Sequence, residues 1–132
     1  MPGEPILIVD DHPTNLKLAR VLLSAEGYEV RTAEDASGVQ AVLKEFHPRL
    51  ILMDIQLPGQ DGLSFTRELR DDPATAPIPV VALTAHAMTG DKGTAIHAGC
   101  AGYIAKPIDT RSLGAQVRKF ITRHAGAMQG AV

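Results

Sequence analysis

The chain has 132 residues, 45% of them hydrophobic and 21% charged, a balance that suits one domain with a real core and excludes two ordinary domains or an intrinsically disordered chain. Its formal net charge of −2 is spread along the sequence without a Lys/Arg run, so no nucleic-acid or acidic-lipid surface is expected. Cys100 is the single cysteine, which excludes an intramolecular disulfide, and with no leader-like N-terminus and no apolar stretch near the ~18–20 residues of a membrane span, a cytoplasmic location with no membrane partner is expected.

Ile6-Leu7-Ile8-Val9 is a fully apolar, β-branched run, as expected of a strand covered on both faces in a parallel sheet. Pro13 and Thr14 then start a helix in which Leu16, Ala19, Leu22 and Leu23 recur at helical spacing until Gly27. A short strand follows near 29–32. Asp35 is an N-cap, and Val39, Val42, Leu43 and Phe46 form an i, i+3, i+4, i+7 stripe that predicts a helix ending before Pro48. Leu50-Ile51-Leu52-Met53 is the third strand, followed by a loop with Pro58, Gly59 and Gly62 and a helix to about Arg70. Val80-Val81-Ala82-Leu83 is the fourth strand, and 88–98 a fourth helix weakened by Gly90 and Gly93. Tyr103-Ile104-Ala105 is the fifth strand, and Leu113, Val117, Phe120, Ile121 and His124 give the fifth helix its apolar face. A frayed tail is expected from Gly126, making 1–125 the domain and 126–132 the tail. Alternating strands and helices of these lengths predict an α/β, doubly wound parallel sheet with helices on both faces.

The polar residues that follow the strands carry the chemistry. Asp10 and Asp11 follow the first apolar run, Asp54 the third, Thr84 the fourth and Lys106 the fifth. In a parallel sheet these carboxyl ends share one edge, where open α/β sheets bind ligands. With strand order 2-1-3-4-5, the first and third strands are neighbours and the three acids adjoin. Carboxylates that close repel unless a cation sits between them, and Mg2+ suits such oxygen donors. The five histidines, His12 among them, show neither paired spacing nor cysteine partners for a zinc site. A carboxylate beside Mg2+ can attack phosphorus as a covalent nucleophile. The transferred group spreads its charge over three oxygens, which the cation, the Lys106 ammonium and the Thr84 hydroxyl can each meet, while small Ala85 leaves the approach open. Taken singly, each residue has an ordinary reading as helix cap, turn residue, strand end or solvated charge; their common position after the strands favours a site.

The motifs Val9-Asp10-Asp11-His12-Pro13-Thr14-Asn15, Met53-Asp54-Ile55-Gln56-Leu57-Pro58-Gly59-Gln60-Asp61-Gly62, Ala82-Leu83-Thr84-Ala85 and Gly102-Tyr103-Ile104-Ala105-Lys106-Pro107 together resemble the receiver domains of two-component response regulators over about residues 6–120. The resemblance implies a CheY-like, flavodoxin-like (βα)5 fold in which Asp54 is phosphorylated from a histidine kinase or phosphotransfer protein. It implies Mg2+ held by Asp11, Asp54 and the Gln56 backbone carbonyl, with Asp10 acting mainly through water. It further implies that Thr84 moves toward the phosphoryl group and lets Tyr103 turn inward. That movement would change a partner-binding face made of the fourth helix, fifth strand and fifth helix. Pro107 is expected after a cis bond, and Gln56 and His86 are expected to tune the lifetime of the phosphoryl group.

Two other functions compete. An Mg2+-dependent phosphohydrolase working through an aspartyl phosphate would usually carry an acid where Gln56 stands, together with a cap region. A phosphorylation-independent docking module would not need the complete acid, threonine and lysine set. The C-terminus lies close to the end of the last predicted helix, so output is expected through contact or onward phosphotransfer, whether the chain stands alone or is excised from a hybrid kinase.

Overall fold

The computed structural model describes residues 4–57, 60–84, 100–105 and 110–130. Along the chain lie β1 (Pro5–Val9), α1 (Pro13–Ala25), β2 (Glu29–Ala33), α2 (Ala36–Leu43), β3 (Leu50–Asp54), β4 (Gln56–Leu57), β5 (Gln60–Asp61), α3 (Gly62–Asp71), β6 (Val80–Thr84), β7 (Gly102–Ala105) and α4 (Leu113–Gly130). The predicted helix at 88–98 lies outside the described residues, so α4 is the helix expected as the fifth.

Five strands pair in parallel in the order β2-β1-β3-β6-β7. Leaving aside the small β4-β5 hairpin, this is the 2-1-3-4-5 order of the flavodoxin-like fold expected from the motifs.

The apolar runs are continuous because alternate residues of each strand enter different cores. Leu7, Val9, Ile51, Met53, Val80 and Ala82 face the side covered by Val39 of α2 and by Phe65 and Leu69 of α3. Ile6, Ile8, Leu50, Leu52, Val81, Leu83 and Ile104 face the side covered by Leu16, Ala19 and Leu23 of α1 and by Leu113, Val117 and Ile121 of α4. Truncating a fully buried residue such as Leu52 to alanine would cost about 2–5 kcal/mol, so these layers fix the sheet edge on which the site stands. Arg118 also ties α4 to the start of β1, pairing with Glu4 while its guanidinium lies 4.9 Å from the Tyr28 ring centroid.

The element ends show how local chemistry acts. Asp35 caps α2, accepting a hydrogen bond from Gly38 N at 2.7 Å. Gly27 closes α1 at φ 96°, in the left-handed region where a Cβ is penalised. Two boundaries differ from expectation. Helix α2 stops at Leu43, and Phe46 enters the core from the turn that follows, since the chain must bend before Pro48 to feed β3. The last helix continues through Gly126 to Gly130. Among the described residues, no helix is long and apolar enough to cross a membrane.

Candidate functional site

Strand β1 sits beside both β2 and β3, so the chain leaves its carboxyl end at the point where the strand order reverses. Asp10 and Asp11 follow β1, and Asp54 ends β3. The parallel register pairs Val9 with Met53, which brings Asp10 and Asp54 to the same level of the edge. One carboxylate oxygen from each of Asp10, Asp11 and Asp54, together with a ring nitrogen of His12, all lie within 4.8 Å of one another. Residues more than forty positions apart in the chain thus form one cluster, as the strand positions require.

Within it the acids are held differently. Asp10 is 1% exposed, and its backbone N–H donates to Ala33 O at 3.1 Å. Its Oδ1 accepts from His12 N at 2.9 Å, and its Oδ2 accepts from Asn15 Nδ2 at 3.4 Å. Asp10 therefore organises the start of α1, whose positive N-terminal end favours neighbouring carboxylates. Asp11 has a partly exposed side chain, but its Oδ1 is buried and lies 3.0 Å from His12 Nδ1 outside hydrogen-bond geometry. Among the described residues that oxygen has no hydrogen-bond partner. A buried acceptor left so costs about 1–3 kcal/mol, more when charged, and a hard cation would satisfy it. Asp54 is 3% exposed, so its charge too is largely removed from water.

The turn after Asp54 is clamped. Gln56 opens β4, which pairs with β5 through Gln56↔Asp61 and Leu57↔Gln60, and Gly62 N donates to Ile55 O at 3.0 Å. A Cβ on Gly62 would stand 2.2 Å from Asp54 O and 2.7 Å from Ile55 Cα, so only glycine fits without moving the backbone of the central acid. Thr66 Oγ1 donates to Gly62 O at 2.9 Å and extends the clamp into α3.

Thr84 ends β6 one residue beyond Leu83, the register partner of Asp54, and is buried. It is opposite Ala105 of β7, the residue before Lys106 in the sequence. Tyr103 is half-buried against the core on the α2 and α3 side. Ala85, His86, Lys106, Pro107 and the Gln56 side chain lie outside what is described.

Sequence reasoning missed two participants. His12 shares in the sequence only the reading that the five histidines lack zinc-site spacing; its side chain is 66% exposed, yet its ring lies among the acids, and its place directly after them is the available signal. Gly62 was read as loop punctuation, whereas its missing side chain makes room for the Asp54 carbonyl. A cavity of about 380 Å³ between α2 and α3, lined by Leu43, His47, Phe65 and Ile78 among others, is of ligand size but lies toward the opposite end of the sheet from Asp54.

Comparison with known proteins agrees with this geometry. The response regulator receiver domain family matches residues 6–118. The polar-differentiation response regulator DivK of Brucella ovis is 49% identical over 105 residues, covering 78% of this chain and 84% of that protein. The receiver domain of a sensor histidine kinase from Pseudomonas aeruginosa, solved with a magnesium ion coordinated in its active-site cleft, has a TM-score of 0.79 and 37% identity over 91% of this chain and 98% of that one. A CheY-like response regulator receiver domain protein from Methanospirillum hungatei has a TM-score of 0.84 and 26% identity, covering 95% and 98%.

Proposed function

The chain belongs to the response regulator receiver domain family, which serves signalling and does not consist of classical enzymes, and from that premise we propose that Asp54 is its phosphoacceptor. A carboxylate oxygen of Asp54 bonds to phosphorus while the bond from phosphorus to a histidine nitrogen of a kinase or phosphotransfer protein breaks. The departing imidazole takes up a proton, and Asp54 is left as an acyl phosphate. The chain itself performs this transfer and then slowly loses the group to water, with Gln56 and His86 flanking it and setting the lifetime.

Asp11, Asp54 and the Gln56 backbone carbonyl would hold Mg2+, with Asp10 acting mainly through water. When bound, the ion neutralises charge on the acids and on the phosphoryl oxygens. The buried Oδ1 of Asp11, without a hydrogen-bond partner among the described residues, supports this division of labour, as do the hydrogen bonds to both oxygens of Asp10. The Thr84 hydroxyl and the Lys106 ammonium meet the remaining phosphoryl oxygens, and Ala85 leaves the approach open. Thr84 then moves toward the phosphoryl group and Tyr103 turns inward. The partner-binding face that includes β7 and α4 changes with it and is read by a downstream protein. A few kcal/mol of preferential stabilisation suffices for such a shift.

The observation that carries the proposal is the convergence of Asp54 with Asp10 and Asp11 within 4.8 Å at the carboxyl edge of the sheet. The test is incubation with Mg2+ and a small phosphodonor such as acetyl phosphate, read by intact mass spectrometry. The native chain should gain a single acyl phosphate and Asp54→Asn none. Uptake by Asp54→Asn at the native stoichiometry would remove Asp54 from the role.

A further inference from the structure

We propose that His12 is a metal ligand of the acidic cluster, supplying a nitrogen donor that makes the site hold borderline first-row cations such as Zn2+ or Ni2+ more tightly than its carboxylates alone would. The inference rests on the metal-site reading given above and adds to it a donor from outside the oxygen set.

The backbone holds His12 in place. Its N–H donates to Asp10 Oδ1, its carbonyl accepts from Leu16 N at 3.1 Å, and at φ −96°, ψ 110° it has the extended geometry imposed on a residue before proline, here Pro13. From there the ring, although 66% exposed, puts Nδ1 3.0 Å from Asp11 Oδ1 and at hydrogen-bond distance, 3.3 Å, from Asp10 Oδ1.

Two donors on opposite sides of one small divalent ion stand about 4.2 Å apart, since each bond is ~2.0–2.2 Å. The four candidate donor atoms already lie within 4.8 Å, so an ion could engage His12 after a shift of about half an ångström. A side chain 66% exposed can make that shift without disturbing a packed core.

Chemistry then sets the preference. Carboxylate and carbonyl oxygens suit Mg2+, whereas imidazole suits Zn2+, Ni2+ and Cu2+, whose affinities for mixed nitrogen and oxygen sites stand above those of the earlier ions in the divalent series. Three carboxylates give the site its charge, and one imidazole changes which ion it selects.

The test titrates the full chain and His12→Ala with Zn2+ and, separately, with Mg2+ by calorimetry, and follows the histidine ring nitrogens by NMR. Since losing even an outer partner of a metal ligand costs about 10–100-fold in affinity, His12→Ala should weaken Zn2+ binding at least tenfold. Mg2+ binding should change by less than about twofold, as expected of an ion held by oxygen. Zn2+ and not Mg2+ should shift the His12 ring resonance. Equal Zn2+ affinity in both proteins, or a shift confined to another histidine, would overturn the inference while Mg2+ binding kept the acidic site intact. Failure of the native chain to bind either ion would overturn the metal-site reading and this inference together.

Discussion

Replacing Gly62 with alanine tests whether the turn after Asp54 is a clamp. The added Cβ would stand 2.2 Å from Asp54 O and 2.7 Å from Ile55 Cα, about an ångström inside ordinary contact, and both obstacles are backbone atoms that cannot rotate away. Overpacking of this kind costs about 1–3 kcal/mol, and separating Gly62 N from Ile55 O adds about 1 kcal/mol. Alanine's helix advantage of about 1 kcal/mol belongs to helix interiors and gives little at the first residue of α3. The net loss of roughly 2–4 kcal/mol should lower the melting temperature by about 6–20 °C for a domain of this size. Because the displaced atom belongs to Asp54, a shift near 1 Å should also slow phosphorylation by up to about a hundredfold. Thermal unfolding by circular dichroism and acyl-phosphate formation by mass spectrometry read the two effects. Gly38→Ala is the comparison: the nearest atoms to its Cβ would be Ala33 Cβ and Asp35 Oδ1, each at 3.3 Å, and it should change stability by less than about 1 kcal/mol. If Gly62→Ala melts within roughly 2 °C of the native protein and takes up phosphate at the native rate, the turn does not hold Asp54 as argued.

Four further outcomes are expected. Asp11→Ala should weaken Mg2+ binding at least about tenfold by titration, since it removes a charged donor; an unchanged affinity would refute the assignment. Lys106→Ala should depress phosphorylation or the conformational response to it while leaving the melting temperature near native, and normal behaviour in both assays would count against a phosphate contact. Burial pushes the Cys100 thiol above its ordinary value of 9.0, partly offset by the Thr66 hydrogen bond and the Arg70 charge. A thiol whose folded pKa is raised contributes stability that is complete below the unfolded value and is lost as pH rises through the folded one, so denaturant midpoints should fall as pH climbs beyond about 9. Burial raises the Tyr28 phenol as well, which adds to the same alkaline loss. Thiol-reactive dye at pH 8 should label native Cys100 only at the rate of protein opening, and labelling at free-thiol speed would show that the site is not buried.

Much of the fold was legible along the chain because burial on both faces of a sheet leaves uninterrupted apolar runs. Ile6 to Val9, Leu50 to Met53 and Val80 to Leu83 all became strands with every residue of the run buried. Asp35 was legible as a cap because its chemistry is local, closed by a bond to a residue three positions on. The end of α2 and the β4-β5 hairpin were not, because tertiary packing around Phe46 and the return of the chain to Ile55 override local propensity there. The acidic cluster lay between these cases. Position after a strand marked Asp10, Asp11 and Asp54, but the resemblance to a known family was needed to assign them roles.

What the sequence determined alone was which residues stand at the carboxyl ends of strands and which chemical groups they bring there. Hydrophobic periodicity reports burial, and burial assigns strands, without reporting who sits beside whom. Only the tertiary structure decided that β1 adjoins β3 in a register pairing Val9 with Met53, that Asp10 spends its oxygens on His12 and Asn15 while one buried oxygen of Asp11 finds no hydrogen-bond partner among the described residues, and that a ring nitrogen of His12 lies among the acids. Strand order and register are set by pairing between segments distant in sequence, so distances of a few ångströms, on which ion binding and phosphoryl transfer depend, exist only once the chain has closed on itself.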